Sequence, residues 1–129
     1  MNKKEVAAFF DRMAPKWDAE MIKSDEKINF ILDAAGVKEN SVVLDVACGT
    51  GVMFPYYLAR GAERVIGVDI SSEMARIAAS KMHDPRVEVI CGDVEEIAVE
   101  RLCDCLCAVG VNVDNLVCQT LRNQCVADM

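Results

Sequence analysis

The stretch VVLDVACGTG, residues 42 to 51, constrains the fold more than any other part of the chain. Its apolar residues run on without alternating, the mark of a strand buried on both faces. Gly49 and Gly51 then form a tight loop, and MFPYYLARG follows as a short helix. Pro55 is tolerable there only in the first turn, and Gly61 supplies the stop. A buried strand that enters a helix through a glycine turn is the opening of a βαβ unit, whose second strand lies parallel to the first.

The pattern repeats downstream. RVIGVD reads as a strand, SSEMARIAASKM as a helix with Met74, Ile77, Ala78 and Met82 on one face, HDPR as a turn and VEVIC as a third strand. Three strands separated by two helices give a three-layer, doubly wound α/β domain with a mainly parallel sheet. Upstream, KKEVAAFFDRMAPKWD is expected to form a helix that stops near Pro15. SDEKINFILDAAG carries Ile28, Ile31, Leu32 and Ala35 on one helix face, with Ser24 or Asp25 as N-cap and Gly36 as terminator.

With 129 residues the chain suffices for one core, so residues 1–129 are read as a single domain. Fourteen Lys and Arg against 21 Asp and Glu leave a formal charge of −7, which disfavours nucleic acid and anionic membrane as partners. No run approaches the roughly 18 apolar residues of a membrane helix, and charges interrupt the N-terminus where a secretion signal would be apolar. A cytoplasmic location is expected. Cys48 and Cys91 lie in apolar strand-like runs, where a reduced thiol acts as a small hydrophobe.

In a doubly wound sheet, ligands sit beyond the carboxyl ends of the strands, which directs attention to DVACGTG. The dinucleotide fingerprint G-x-G-x-x-G fails here, because Phe54 stands where the third glycine belongs. Asp45, four residues before Gly49, would also oppose a pyrophosphate at the following helix N-terminus. A cationic ligand would be favoured by the same acid. Two further acids, Asp69 and Asp93, end the second and third strands at the same edge of the sheet.

VLDVACGTG resembles motif I of the class I (Rossmann-like) S-adenosylmethionine-dependent methyltransferases, an apolar run followed by D/E-x-G-x-G-x-G, with Ala47 in place of the first glycine. DISSEMARIA continues as in that family, and FFDRMAPKWD is similar to its N-terminal FD-x-x-A-x-x-W segment through Phe10, Asp11, Ala14, Trp17 and Asp18. The resemblance covers residues 5 to about 98 and implies S-adenosyl-L-methionine as cofactor. It implies that Asp69 receives the ribose hydroxyls and Asp93 the adenine amino group, with Val94 offering its backbone N–H to the ring. Asp45, Ala47, Cys48, Gly49 and Gly51 would form the loop side of the site, and Ile70, Met74 and Trp17 its apolar walls. Methyl transfer to a small-molecule acceptor is the implied reaction. It requires alignment more than acid–base chemistry, so no catalytic residue is assigned, and His83 in the KMHDPR turn is read as a surface residue.

Residues 99–129 depart from the pattern. CDCLCAVGV reads as a fourth strand and DNLVCQTLRNQCV as a loosely periodic helix, and then the chain ends, short of the family's seven strands. A sheet cut off after about four strands is the expectation, with an open edge suited to a second copy or a completing chain. Cys103, Cys105 and Cys107 alternate along that fourth strand instead of forming C-x2-4-C turns, so no metal site is assigned. A noncatalytic S-adenosylmethionine-binding module without an acceptor pocket is the alternative to an enzyme. An NAD-binding fragment is disfavoured by Phe54 and Asp45.

Overall fold

The structure is a computed structural model and describes residues 2–96 and, as backbone, 107–110. Four parallel strands, β1 (Val42–Val46), β2 (Arg64–Asp69), β3 (Val87–Cys91) and β4 (Cys107–Gly110), form one sheet in the order β3-β2-β1-β4. The order reverses between β1 and β4, which opens the crevice at which such sheets bind ligands. Helices α1 (Lys3–Glu20), α2 (Asp25–Ala35), α3 (Phe54–Ala59) and α4 (Ser72–Lys81) complete the described part, with a single 3-10 turn at Val94–Glu96. The fourth strand expected in CDCLCAVGV is present as β4; the expected helix in DNLVCQTLRNQCV, and Cys103 and Cys105, lie outside the described residues.

The local signals act as their chemistry requires. Ser24 caps α2 by accepting from the Lys27 N–H, and Gly36 ends it at φ 77°, a conformation that favours glycine. Pro55 sits in the first turn of α3, and Ser71 caps α4 by accepting from the Met74 N–H. Two expectations are corrected. Helix α1 does not stop near Pro15 but runs through it to Glu20. Pro15 is on the exposed side of the helix, where water can take the lost hydrogen bond, and long-range contacts described below hold both halves. Ile31 does not share the buried face of α2 and is 42% exposed, whereas Ile28 and Leu32 are buried.

One face of the sheet carries Val43 and Val65 and packs with Ile28, Leu32, Phe54, Tyr57 and Ala78 into the main core. Phe54 lies so close over β2 that a Cβ on Gly67 would come within 2.6 Å of its ring. That contact explains the glycine inside an otherwise β-branched strand. Leu44, Ile66 and Val68, on the alternate positions, form a second buried cluster on the other face. Among the described residues no helix is long and apolar enough to cross a membrane.

Candidate functional site

The loop that leaves β1 combines three positive φ angles, Ala47 (57°), Gly49 (59°) and Gly51 (78°). Two are glycines, which adopt that region freely, while Ala47 holds it against steric cost. The loop is fixed from beneath and from the side: the Cys48 N–H donates to the Val68 carbonyl (3.0 Å) and the Gly49 N–H to the Asp69 carboxylate (2.8 Å). The other oxygen of Asp69 accepts from the Ser71 N–H at 2.9 Å, so a single carboxylate joins the β1 loop to the start of α4. Burial raises the Asp69 pKa, opposed by these two N–H donors.

Helix α1 closes the site from above. Its Asp11 accepts from the Ser71 hydroxyl (2.6 Å) and the Glu73 N–H (3.1 Å), and these bonds hold its carboxyl below the usual range. Asp18 accepts from the Thr50 hydroxyl (2.6 Å) and pairs with Lys81 (2.9 Å). Burial pushes Asp18 up, but Thr50 and Lys81 together bring its pKa below the ordinary value. At the helix start Lys3 pairs with Asp93 and with Glu95, which lowers the Asp93 pKa and raises that of Lys3. Phe10 and Trp17 meet edge to face, with ring centroids 6.0 Å apart.

Between α1 and the carboxyl edge of the sheet lies a cavity of about 320 Å³. That is near the lower end of the range for small-molecule sites, roughly 300 to 1,000 Å³. Its lining brings together nine of the candidate residues: Ala47, Cys48, Gly49, Asp69, Ile70, Met74, Asp93, Val94 and Trp17. Two candidates are not in it. Gly51 lies against Phe54, where an added Cβ would approach the ring to 2.7 Å, so its role is to let the helix approach. Asp45, expected at the mouth of the loop, is instead completely buried and absent from the lining. The reason is register: β1 continues one residue past it to Val46, and its side chain points inward to the side of Tyr57.

The sequence reading missed Val6 and Met21 in the wall. Their signal was available, since Val6, Phe10, Trp17 and Met21 recur at spacings of four, seven and four, one face of a helix. No group of three or more His, Cys, Asp or Glu among the described residues is arranged to hold a metal ion.

Comparison with known proteins agrees with this architecture. A family model described as "Methyltransferase domain" matches residues 43–126, and the chain belongs to that family. The match runs beyond residue 98, where the motif resemblance stops. Protein arginine N-methyltransferase 1 of Chlamydomonas reinhardtii is 32% identical over 62% of this chain and 25% of its own. Demethylmenaquinone methyltransferase of Renibacterium salmoninarum is 35% identical over 69% of this chain and 38% of its own. Among solved structures, a putative S-adenosylmethionine-dependent methyltransferase from Listeria monocytogenes is 30% identical with TM-score 0.51, covering 57% of this chain and 32% of that one. The fold is that of the class I, S-adenosylmethionine-dependent methyltransferases. The chain spans a quarter to two fifths of the length of the curated relatives it matches.

Proposed function

We propose that the cavity beneath α1 binds S-adenosyl-L-methionine and that the chain serves methyl transfer to a small-molecule acceptor. The observation that carries the reading is the convergence of Asp69, Asp93 and the loop 47–49 on one largely apolar cavity at the carboxyl edge of a parallel sheet. Such a cavity suits a ligand with one polar, hydroxyl-rich part and one planar apolar part. Asp69 would accept from the ribose hydroxyls without leaving its position, since each carboxylate oxygen retains acceptor capacity beside its N–H partner. Asp93 would receive the adenine amino group, with Lys3 keeping it ionised. Met74 and Trp17 would close over the apolar surface, and Gly49, with no Cβ, would let the backbone approach.

When bound, the cofactor supplies a methyl group activated on a sulfonium. The residues of this chain bind, orient and exclude water; alignment of this kind contributes on the order of 7 to 11 kcal/mol to lowering a barrier. No side chain here is required as acid or base. The formal charge of −7 speaks against a polyanionic acceptor, and the quinone named for the Renibacterium relative is an instance of the small-molecule class.

Calorimetric titration with S-adenosylmethionine, S-adenosylhomocysteine and NADH tests the site: saturable binding of the two adenosyl compounds and not of NADH is expected. Absence of heat with both would end the reading. Methyl transfer from labelled cofactor to a panel of small molecules and proteins tests the reaction, and binding without turnover would favour a noncatalytic cofactor-binding module.

A further inference from the structure

Of the two acids in the cavity wall, Asp93 is the one paired with α1. Its Oδ1 is engaged locally, accepting from the Glu95 N–H at 3.0 Å. Its Oδ2 is buried and lies 2.5 Å from the Lys3 ammonium, in an ion pair that lacks the alignment of a hydrogen bond. That oxygen therefore has a charge beside it and no well-directed donor. Lys3 has a second acid within reach, because Glu95 Oε2 stands 3.0 Å from the same nitrogen. The two acids differ in depth: the Asp93 side chain is 13% exposed and that of Glu95 74%.

The placement of the lysine is not explained by its helix. Lys3 opens α1, where the helix dipole disfavours a cation, so its hold comes from the two acids. Val6, one turn further along α1, lines the cavity, which sets the ion pair at the Asp93 end of that wall. A ligand that brings an amino N–H to Asp93 meets an acceptor already covered, Oδ1 by a backbone N–H and Oδ2 by the ammonium. It must take Oδ2 from Lys3. A directed N–H offers the hydrogen bond that Lys3 does not form, and a buried acceptor gains from it. The cost of the exchange is limited, since Lys3 is exposed and keeps Glu95 as a partner.

We propose that Lys3 is an intramolecular competitor for the base-binding acid: it covers Asp93 before the ligand binds and is passed to Glu95 when an amino group of the ligand arrives. The proposal rests on the cofactor reading above and adds to it a contact by which the chain opposes its own ligand. No covalent bond changes and no proton is transferred; one ion pair is exchanged for one hydrogen bond. The competition lowers affinity for a base that carries an amino group and leaves a base without one unaffected, because such a base has no claim on Asp93.

The experiment is calorimetric titration of the full chain with S-adenosylhomocysteine and with its 6-desamino analogue, which carries hydrogen where adenine carries the amino group. Lys3→Gln should bind S-adenosylhomocysteine about two- to fivefold more tightly than the native chain, the range of an exposed ion pair, with the analogue unchanged. Glu95→Gln should bind it more weakly by a similar factor, because the displaced lysine then has no acid to move to, and should have no effect in the Lys3→Gln background. Equal or weaker binding by Lys3→Gln overturns the proposal. So does a change of the same size for both compounds, which would mark a general effect on α1, or a Glu95→Gln deficit that persists without Lys3. Should Lys3→Gln fail to fold, Glu95→Gln decides alone, and affinity equal to or above the native value overturns the proposal. Any of these with both compounds still bound defeats this proposal alone; binding of neither defeats the cofactor reading with it.

Discussion

Asp45 and Asp69 are the same residue type on adjacent parallel strands and on the same face of the sheet, yet they have different physical roles. In the register of β1 and β2, Asp45 stands beside Gly67, so Asp69 is two residues nearer the loop edge. One pleat repeat, roughly 7 Å, separates them along the strand direction. At the outer position the carboxylate accepts from the N–H groups of Gly49 and Ser71 and reaches the cavity. At the inner position it has no such donors and is sealed by Tyr57 and Cys48. Donors shape the difference: two backbone N–H groups favour the anion of the outer acid against its burial, while the inner acid has only the Tyr57 hydroxyl to oppose a deeper burial. An acid at a strand end is thus a binding group or a core group according to a displacement of two residues.

The largest expected effect exploits the inner acid. A carboxyl whose folded pKa of about 8 lies above its ordinary 3.8 binds more protons folded than unfolded between those values. Its contribution to stability is complete below the unfolded pKa and is lost as pH rises to the folded one. Stability should fall from about pH 5 to about pH 8 by up to ~1.4 kcal/mol per unit. Asp45→Asn should flatten that slope, as read from urea midpoints across the same range. A slope unchanged in the folded variant would show that Asp45 is ionised in its native setting. The acids with lowered pKa values, Asp11, Asp18 and Asp93, contribute in the opposite direction at lower pH and do not mimic the effect.

Next in size is the residue beside Asp45 in the register. A Cβ at Gly67 meets Phe54 Cζ at 2.6 Å and Cys48 Sγ at 3.0 Å, and Phe54 is completely buried. Gly67→Val should destabilise the fold by about 3 kcal/mol, the upper part of the range for overpacked cores. A denaturation midpoint equal to that of the native chain would mean that α3 is free to move off the sheet.

The contrast also marks what the sequence could and could not convey. The β2 strand RVIGVD, the caps of α2 and α4 and the glycine loop were legible, because each is fixed by chemistry within a few residues. So was the convergence of Asp69 and Asp93 on one edge, since parallel strands align their ends. The depth of Asp45 was not legible: it turns on whether β1 ends at Asp45 or at Val46, and a strand boundary is not encoded that finely. Nor was the passage of α1 through Pro15. Local propensity favours a stop there, but Asp11 and Asp18 are anchored to Ser71 and Thr50, 60 and 32 residues away, and those contacts outweigh it. Exposure of Ile31 has the same origin, since a helix face is defined by what packs on it.

The outer acid supplies the third test. Asp69→Ala removes the acceptor for the Gly49 and Ser71 N–H groups and should weaken S-adenosylmethionine binding by about 1 to 3 kcal/mol, measured by calorimetry on folded variant. If the two acids differ as argued, Asp69→Asn should also lose affinity, whereas Asp45→Asn, outside the cavity lining, should change it little. Parallel losses in both variants would erase the distinction.

The smallest effect concerns the residue through which the outer acid reaches α1. Ser71 is completely buried, its hydroxyl accepts from the Met74 N–H (3.1 Å) and donates to Asp11 (2.6 Å), and its own N–H goes to Asp69. Ser71→Ala keeps the backbone bond to Asp69 but removes both hydroxyl bonds, an N-cap loss of about 1 kcal/mol. Because Asp11 then keeps only the Glu73 N–H and the Ser72 side chain, α1 should loosen over the cavity. Trp17, the only tryptophan, lies in that wall and reports the change through its fluorescence. A lower unfolding midpoint with unaltered Trp17 emission would assign Ser71 to α4 alone; a shift in both would make it the link by which the outer acid, and not the inner one, controls closure of the site.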